Sequence, residues 1–228
     1  MTNAPRKLGT LTIGQAPRSD ITPILDAVLP ADLPRRHAGV LDGLTADEVK
    51  AEFAPSPGGA VLITKLLDGS SVVIDKERTE AAARERIAML EAEGCTTILM
   101  LCTGHFASLA CDRARLLEPD HILPPAVAGL AGDEQVGIVV PLIEQAGTEA
   151  GKWRALAKPP IFAAASPYSG GGPSVAEAAA DLAARGAKIL VLDCMGFLEP
   201  HRREAIAGSG LPAVLSNALM AKIVSEVV

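Results

Sequence analysis

Two apolar runs of this chain end in the same way, and that shared ending constrains the fold more than any other feature. Residues 97–104 read TILMLCTG and residues 188–196 read KILVLDCMG, so each run closes on Cys-x-Gly. Each follows a helical pattern that stops at a glycine, Gly94 before the first and Gly186 before the second. A short continuous apolar run after a helix reads as a parallel strand buried on both faces. Ligands of open parallel sheets bind beyond the carboxyl ends of the strands, so Cys102 and Cys194 are expected at two such tips. The reading is an α/β protein of two pseudosymmetric parallel-sheet domains with an active-site cleft between them. Residues 1–128, joined by a terminal segment 213–228, form the first domain, and residues 129–212 form the second.

The rest of the chain repeats the same strand-and-helix grammar. Residues 7–13 read as the first strand, ending in Gly14, Gln15 and Arg18, with Ser19-Asp20 placed to cap a helix over 21–29. Gly14 would let the backbone approach a ligand, and Arg18 would grip a carboxylate bidentately, unless it is simply an exposed arginine early in a helix. Residues 36–41 read as a second strand, and Thr45 with Glu48 forms a capping box for a helix over 46–53. Residues 61–67 and 71–75, joined through Asp68-Gly69, carry a hairpin signal and read as an antiparallel flap. A helix over 76–93 precedes the first cysteine strand, and a helix over 126–130 leads into the second half. There residues 136–141, ending at Pro141, read as a strand, 143–157 as a helix and 161–165 as a strand. A glycine-rich loop over 166–173 follows. A helix over 175–185 precedes the second cysteine strand, and Ser216-Asn217 caps a terminal helix after a last strand over 211–215. Flap and glycine-rich loop are both expected to close over the site.

Bulk properties narrow the function. Hydrophobic residues make up 49% of the chain but aromatic ones only 3%, so the core must be aliphatic. Net charge is −6, without any basic stripe, which argues against nucleic acid as a partner. Neither a signal-peptide core nor the run of about 20 apolar residues that spans a bilayer is present, so a cytoplasmic location without membrane contact is expected, with cysteines as reduced thiols. The apolar content is compatible with a homodimer. No metal or other cofactor is expected, because Cys102, His105 and Cys111 fit no zinc spacing and no Cys-x-x-Cys occurs.

Two thiols at equivalent strand ends suggest specific chemistry. Glycine two residues after each cysteine lets backbone N–H groups turn toward a carboxylate or an enolate. A thiolate on one face of an α-carbon can take its proton, and a thiol on the other face can return one. Cys95 and Cys111 lie away from strand tips and read as space-filling. His105 would tune Cys102, contact substrate or serve structure, and His201 reads as a residue of a solvated helix. Asp193 beside Cys194 is in tension with thiolate chemistry there, which eases if Cys194 is the resting thiol and Cys102 the thiolate.

At these residues the chain resembles the aspartate/glutamate racemase superfamily. Within that fold it is similar to the AroM family through LTIGQAPR (11–18), EFAP (52–55), LPP (123–125), VGIVVP (136–141), LDCMGF (192–197) and LSN (215–217). The resemblance implies Cys102 and Cys194 as an acid/base pair acting without cofactor on a small-molecule carboxylate, with Thr103 beside that carboxylate. Gln15, Arg18, Gly104, Pro141, Met195, Gly196 and Asn217 complete the expected substrate-binding set. The loops read Cys-Thr-Gly and Cys-Met-Gly, not the Cys-Asn-Thr and Gly-Cys-Thr-His of the racemases. The expected function is therefore a racemase or epimerase of an amino acid or related acid. The alternatives are a cis–trans isomerase or decarboxylase of a small dicarboxylic acid using one cysteine, and a non-catalytic small-acid-binding regulatory protein.

Overall fold

The structure, a computed structural model, describes residues 6–168 and 172–228. By packing, the chain forms two units. The first takes the chain up to Cys102, then Phe106–Glu118 and Ala221–Val228; the second takes Thr103–His105 and Pro119–Met220.

The first unit contains β1 (Leu8–Thr12), α1 (Thr22–Asp26), β2 (Arg35–Gly39), α2 (Ala46–Glu52), β3 (Val61–Lys65), β4 (Ser71–Asp75), α3 (Lys76–Ala92), β5 (Thr97–Met100) and β6 (Arg115–Leu117). Strands β2-β1-β5-β6 form a sheet in that order, parallel throughout. The hairpin β3–β4 pairs antiparallel, Leu62 opposite Ile74, as its Asp-Gly turn predicts. Alternate residues of β5 face opposite sides of the sheet. Ile98 and Met100, with Cys102 beyond the strand end, enter a core with Val49 of α2 and Ala83, Ile87 and Leu90 of α3. Thr45 caps α2 in the expected capping box with Glu48.

The second unit contains α4 (Pro119–Ala131), β7 (Val136–Val140), α5 (Glu144–Glu149), a 3₁₀ turn (Ala150–Trp153), β8 (Ile161–Ala164), α6 (Val175–Ala184), β9 (Ile189–Leu192), α7 (Glu199–Ser209) and β10 (Ala213–Leu215). Helix α8 (Ser216–Ser225) begins in this unit and ends in the first. The parallel sheet runs β10-β9-β7-β8. Counted along the chain, each sheet thus orders its own strands second, first, third, fourth. Both faces of the second sheet are covered: Leu190 and Leu192 of β9 enter one core with α6, and Ile189 and Val191 enter another with Val127 and Trp153. That two-sided burial is why β9 is a continuous apolar run.

The glycine stops before the third strand of each sheet are built alike. Gly94 (φ 85°) and Gly186 (φ 97°) are left-handed, and the next N–H in each case reaches back to close the helix, Cys95 to Leu90 O and Ala187 to Leu182 O, both 3.0 Å.

Several elements differ from the sequence reading. Helix α1 is only Thr22–Asp26 and its N-cap, Ile21, makes no side-chain capping bond; Asp20 pairs with Arg18 instead. Helix α4 starts at Pro119, upstream of Pro124 and Pro125, the residues that hid it. Those prolines remove two intrahelical donors, while Leu123, Val127 and Ala131, spaced four apart, are buried and hold the helix down. The helix expected over 143–157 shortens to α5 and the 3₁₀ turn, where Gly147 and Gly151 weaken helix propensity. Strand β6, an edge strand of three residues, is too short to show a period. Residues 169–171 of the glycine-rich loop lie outside the described residues. Among the described residues no helix is long and apolar enough to cross a membrane.

Candidate active site

Each cysteine of the pair continues the third strand of its own sheet, at the carboxyl end. Cys102 follows Ile98 and Met100 on one face of β5, and Cys194 follows Leu190 and Leu192 on one face of β9. Cys102 is buried and Cys194 half-buried. In each sheet this tip lies beside that of the unit's first strand, where the strand order reverses, the position at which such sheets bind ligands. The other two thiols are placed differently. Cys95 packs in the core under Gly9, and burial pushes its thiol up. Burial, reinforced by the nearby Glu91, Glu118 and Asp112 carboxylates, pushes Cys111 up to about 11, far from a reactive thiol.

At the tip of β1, several expected ligand contacts are taken up by the protein itself. A side chain at Gly14 would collide with Lys65 O and Thr64 Oγ1, so strand β3 approaches this glycine closely. Gln15 reinforces the same junction. Its Nε2 donates to Leu41 O (3.3 Å) and Leu44 O (2.8 Å), and its Oε1 accepts from Leu67 N–H (2.8 Å). The hairpin is thus strapped to the β1 tip. Arg18 is buried and forks onto Asp20, Nε to Oδ1 at 2.8 Å and Nη2 to Oδ2 at 2.7 Å, while Nη1 reaches Thr12 Oγ1 at 3.4 Å. Burial opposes ionisation of Asp20, but the hydrogen bonds and charge of Arg18 outweigh it and hold the carboxyl below its usual value.

In the second unit the residues around Cys194 form a closely bonded turn. Gly196 N–H donates to Cys194 Sγ at 3.4 Å, so this N–H faces the sulfur. Asn217 Nδ2 donates to Met195 O (2.9 Å) and Phe197 O (2.6 Å), so this side chain fixes the turn's backbone, and its buried Oδ1 has no hydrogen-bond partner. Met195 and Gly196 are buried in the turn, and Pro141 is buried at the end of β7. His201 is half-buried, not solvated; its Nδ1 accepts from Leu198 N–H at 2.8 Å, and burial lowers its pKa.

A buried charge network that the sequence reading missed lies directly behind this turn. Lys152 Nζ sits 2.6 Å from Asp193 Oδ2 and 3.8 Å from Glu149 Oε2, with the lysine side chain 4% exposed. It also donates to Thr103 O at 2.7 Å. Thr103 Oγ1 donates to Asp193 O (3.2 Å), and His105 N–H donates to Glu149 Oε2 (3.0 Å). The segment 103–105 that follows Cys102, including the buried Gly104, is therefore pinned from several sides. Burial pushes the Asp193 carboxyl up, and Lys152 opposes that rise through its charge and hydrogen bond. The tension noted at Asp193 is relieved here, since a lysine balances the charge next to Cys194. In sequence the one signal was a lone lysine just before the only tryptophan, which the lysine Nζ overlies at 5.4 Å.

Two parallel α/β units with a cysteine at the same strand end define the class. The chain has the aspartate/glutamate racemase fold. It resembles glutamate racemase from Bacillus anthracis (TM-score 0.63, 12% identity, covering 99% of this chain and 82% of that one). It is also similar to Picrophilus torridus aspartate racemase (0.54, 13%, 96% and 94%) and to unliganded arylmalonate decarboxylase (0.51, 13%, 97% and 91%). No curated protein matches the sequence. Within that class the chain belongs to the AroM family, whose model, AroM protein, matches residues 8–228.

Proposed function

We propose that this protein is a cofactor-independent racemase or epimerase acting at the α-carbon of an amino acid or related small carboxylic acid, with Cys102 and Cys194 as its acid/base pair. The observation that carries the reading is the equivalence of the two cysteines: same strand of each sheet, same end, same alternation of residues. In the reaction the thiolate of one cysteine takes the α-proton, leaving an enolate. The thiol of the other gives its proton to the opposite face of the carbon, so the centre inverts and the two sulfurs exchange protonation states. Backbone N–H groups at Thr103-Gly104 and at Met195 would bind the carboxylate and the developing enolate oxygen, while the Gly196 N–H faces the Cys194 sulfur. Pro141 would add apolar wall. Gln15 and Asn217 contribute by holding backbone in place, and Arg18 acts from within its pair with Asp20.

The test is inversion of optical rotation over a panel of amino acids and small hydroxy and dicarboxylic acids, with native protein and the Cys102→Ser and Cys194→Ser variants. Each single substitution is expected to slow turnover by roughly 100-fold or more, the usual worth of a general acid or base. Turnover retained by both variants would refute the pair. Carbon dioxide release would favour the decarboxylase, and binding without turnover the small-acid-binding regulator.

A further inference from the structure

The second unit holds a pocket of about 290 Å³ that the two-thiol chemistry does not call on, lined by His105, Asp120, His121, Lys152 and Arg154. Asp120 is the buried member, its side chain 1% exposed. Its Oδ2 lies 2.7 Å from His105 Nδ1 and 3.7 Å from His121 Nε2. Its Oδ1 is buried without a hydrogen-bond partner, an arrangement that is costly unless something else occupies that oxygen. Both histidines are open to solvent, 51% and 61% exposed. One ligand atom from each of the three residues lies within 4.8 Å of the others.

The fixed charges favour a cation over an anion here. The Lys152 ammonium is engaged with Asp193 and Thr103 O, so it offers little to an incoming anion. Arg154 is exposed and its charge is screened by water, whereas the Asp120 carboxylate is buried. An anion would have to approach that carboxylate.

We propose that His105, Asp120 and His121 form a binding site for a divalent transition cation of the zinc class. Two imidazoles and a carboxylate are the donor set such ions take, and three protein ligands leave a fourth position open toward the pocket. With metal–ligand bonds of about 2.0–2.1 Å, tetrahedral ligand atoms stand roughly 3.4 Å apart. The longest separation therefore has to close by at most about 1.4 Å, which rotation of two exposed rings supplies. The ion would fix His105, and with it the segment that follows Cys102. The three ligands take no part in the proposed proton transfer, and zinc binding is tested independently of it.

Full-length protein stripped with chelator and titrated calorimetrically with zinc chloride is expected to bind one ion per chain. Binding should weaken by about tenfold or more in His121→Ala, a substitution at an exposed position, and likewise in Asp120→Asn. Cobalt(II) bound in place of zinc should show ligand-field bands without thiolate charge transfer. Absence of saturable zinc uptake, uptake that survives His121→Ala, or a thiolate band with cobalt would each overturn the proposal.

Discussion

Glu91 and Asp75 of the first unit and Asp193 of the second are buried carboxylates held by different means. In the first, Glu91 accepts from the backbone N–H groups of Ala114 (2.7 Å), Arg113 (2.7 Å) and Asp112 (3.0 Å), and these bonds hold its carboxyl below the usual range. Asp75 likewise caps α3 through Arg78 N–H and takes Ser56 N–H, each at 3.0 Å; burial pushes it up, but the bonds outweigh burial and its pKa is lowered. In the second unit Asp193 faces a lysine, keeps one oxygen without a hydrogen-bond partner, and is pushed up by burial. At Glu91 and Asp75 the carboxylate staples a loop or a helix start through backbone N–H groups. The second unit places an incompletely satisfied charge pair beside a candidate catalytic thiol, where a purely structural role would favour apolar packing.

The largest expected effect breaks that contrast directly. Lys152→Met leaves Asp193 buried without its countercharge and should cost about 3–5 kcal/mol in urea denaturation. Adding Asp193→Leu should recover part of the loss, because the Asp193 charge is gone while Glu149 and Thr103 O still lose the lysine. A Lys152→Met protein of native stability would erase the distinction between the units.

A smaller effect sharpens it from the other side. Glu91→Gln should lose about 1–2 kcal/mol at pH 7, since three N–H donors exchange an ionised acceptor for a neutral one. The folded pKa of Glu91 lies below its ordinary 4.5. Its contribution is therefore complete above about 4.5 and is lost as pH falls through the folded value. The gap between variant and native protein, followed by acid unfolding, should narrow on that descent. For Asp193 the sign is reversed: its folded pKa lies above 3.8, so stability drawn from its protonated form declines as pH rises from 3.8 through the folded value.

Smaller again are the helix caps, which the units share. Thr45 with Glu48 and Ser174 with Glu177 form the same capping box. Thr45→Ala and Ser174→Ala should each cost about 1 kcal/mol by thermal melting. Equal costs would show that the units differ in their buried charge and not in how their helices begin. Least of all, iodoacetamide at pH 8 should leave Cys111 unmodified, as a thiol near 11 predicts, with mass spectrometry reading the site.

Local chemistry was the legible part of this chain. The Asp-Gly hairpin, the capping box at Thr45, the glycine stops at Gly94 and Gly186 and the apolar strands before Cys102 and Cys194 are all decided by neighbours within a few residues. What escaped depends on partners far along the chain. Gln15 reads as a ligand donor until Leu41, Leu44 and Leu67 are seen to use its amide. Asp193 reads as a lone charge until Lys152 arrives from another element. Helix α4 was hidden by Pro124 and Pro125, whose local penalty is overridden by burial of Leu123, Val127 and Ala131. Strand β6 exists because β5 offers it an edge.

The central claim is that two thiols move a proton at an α-carbon. Proton NMR of candidate acids with the protein in heavy water tests it most directly. The account predicts that at least one acid loses its α-proton signal with native protein and keeps it with Cys102→Ser and with Cys194→Ser. Exchange continuing at the native rate in both variants would contradict it.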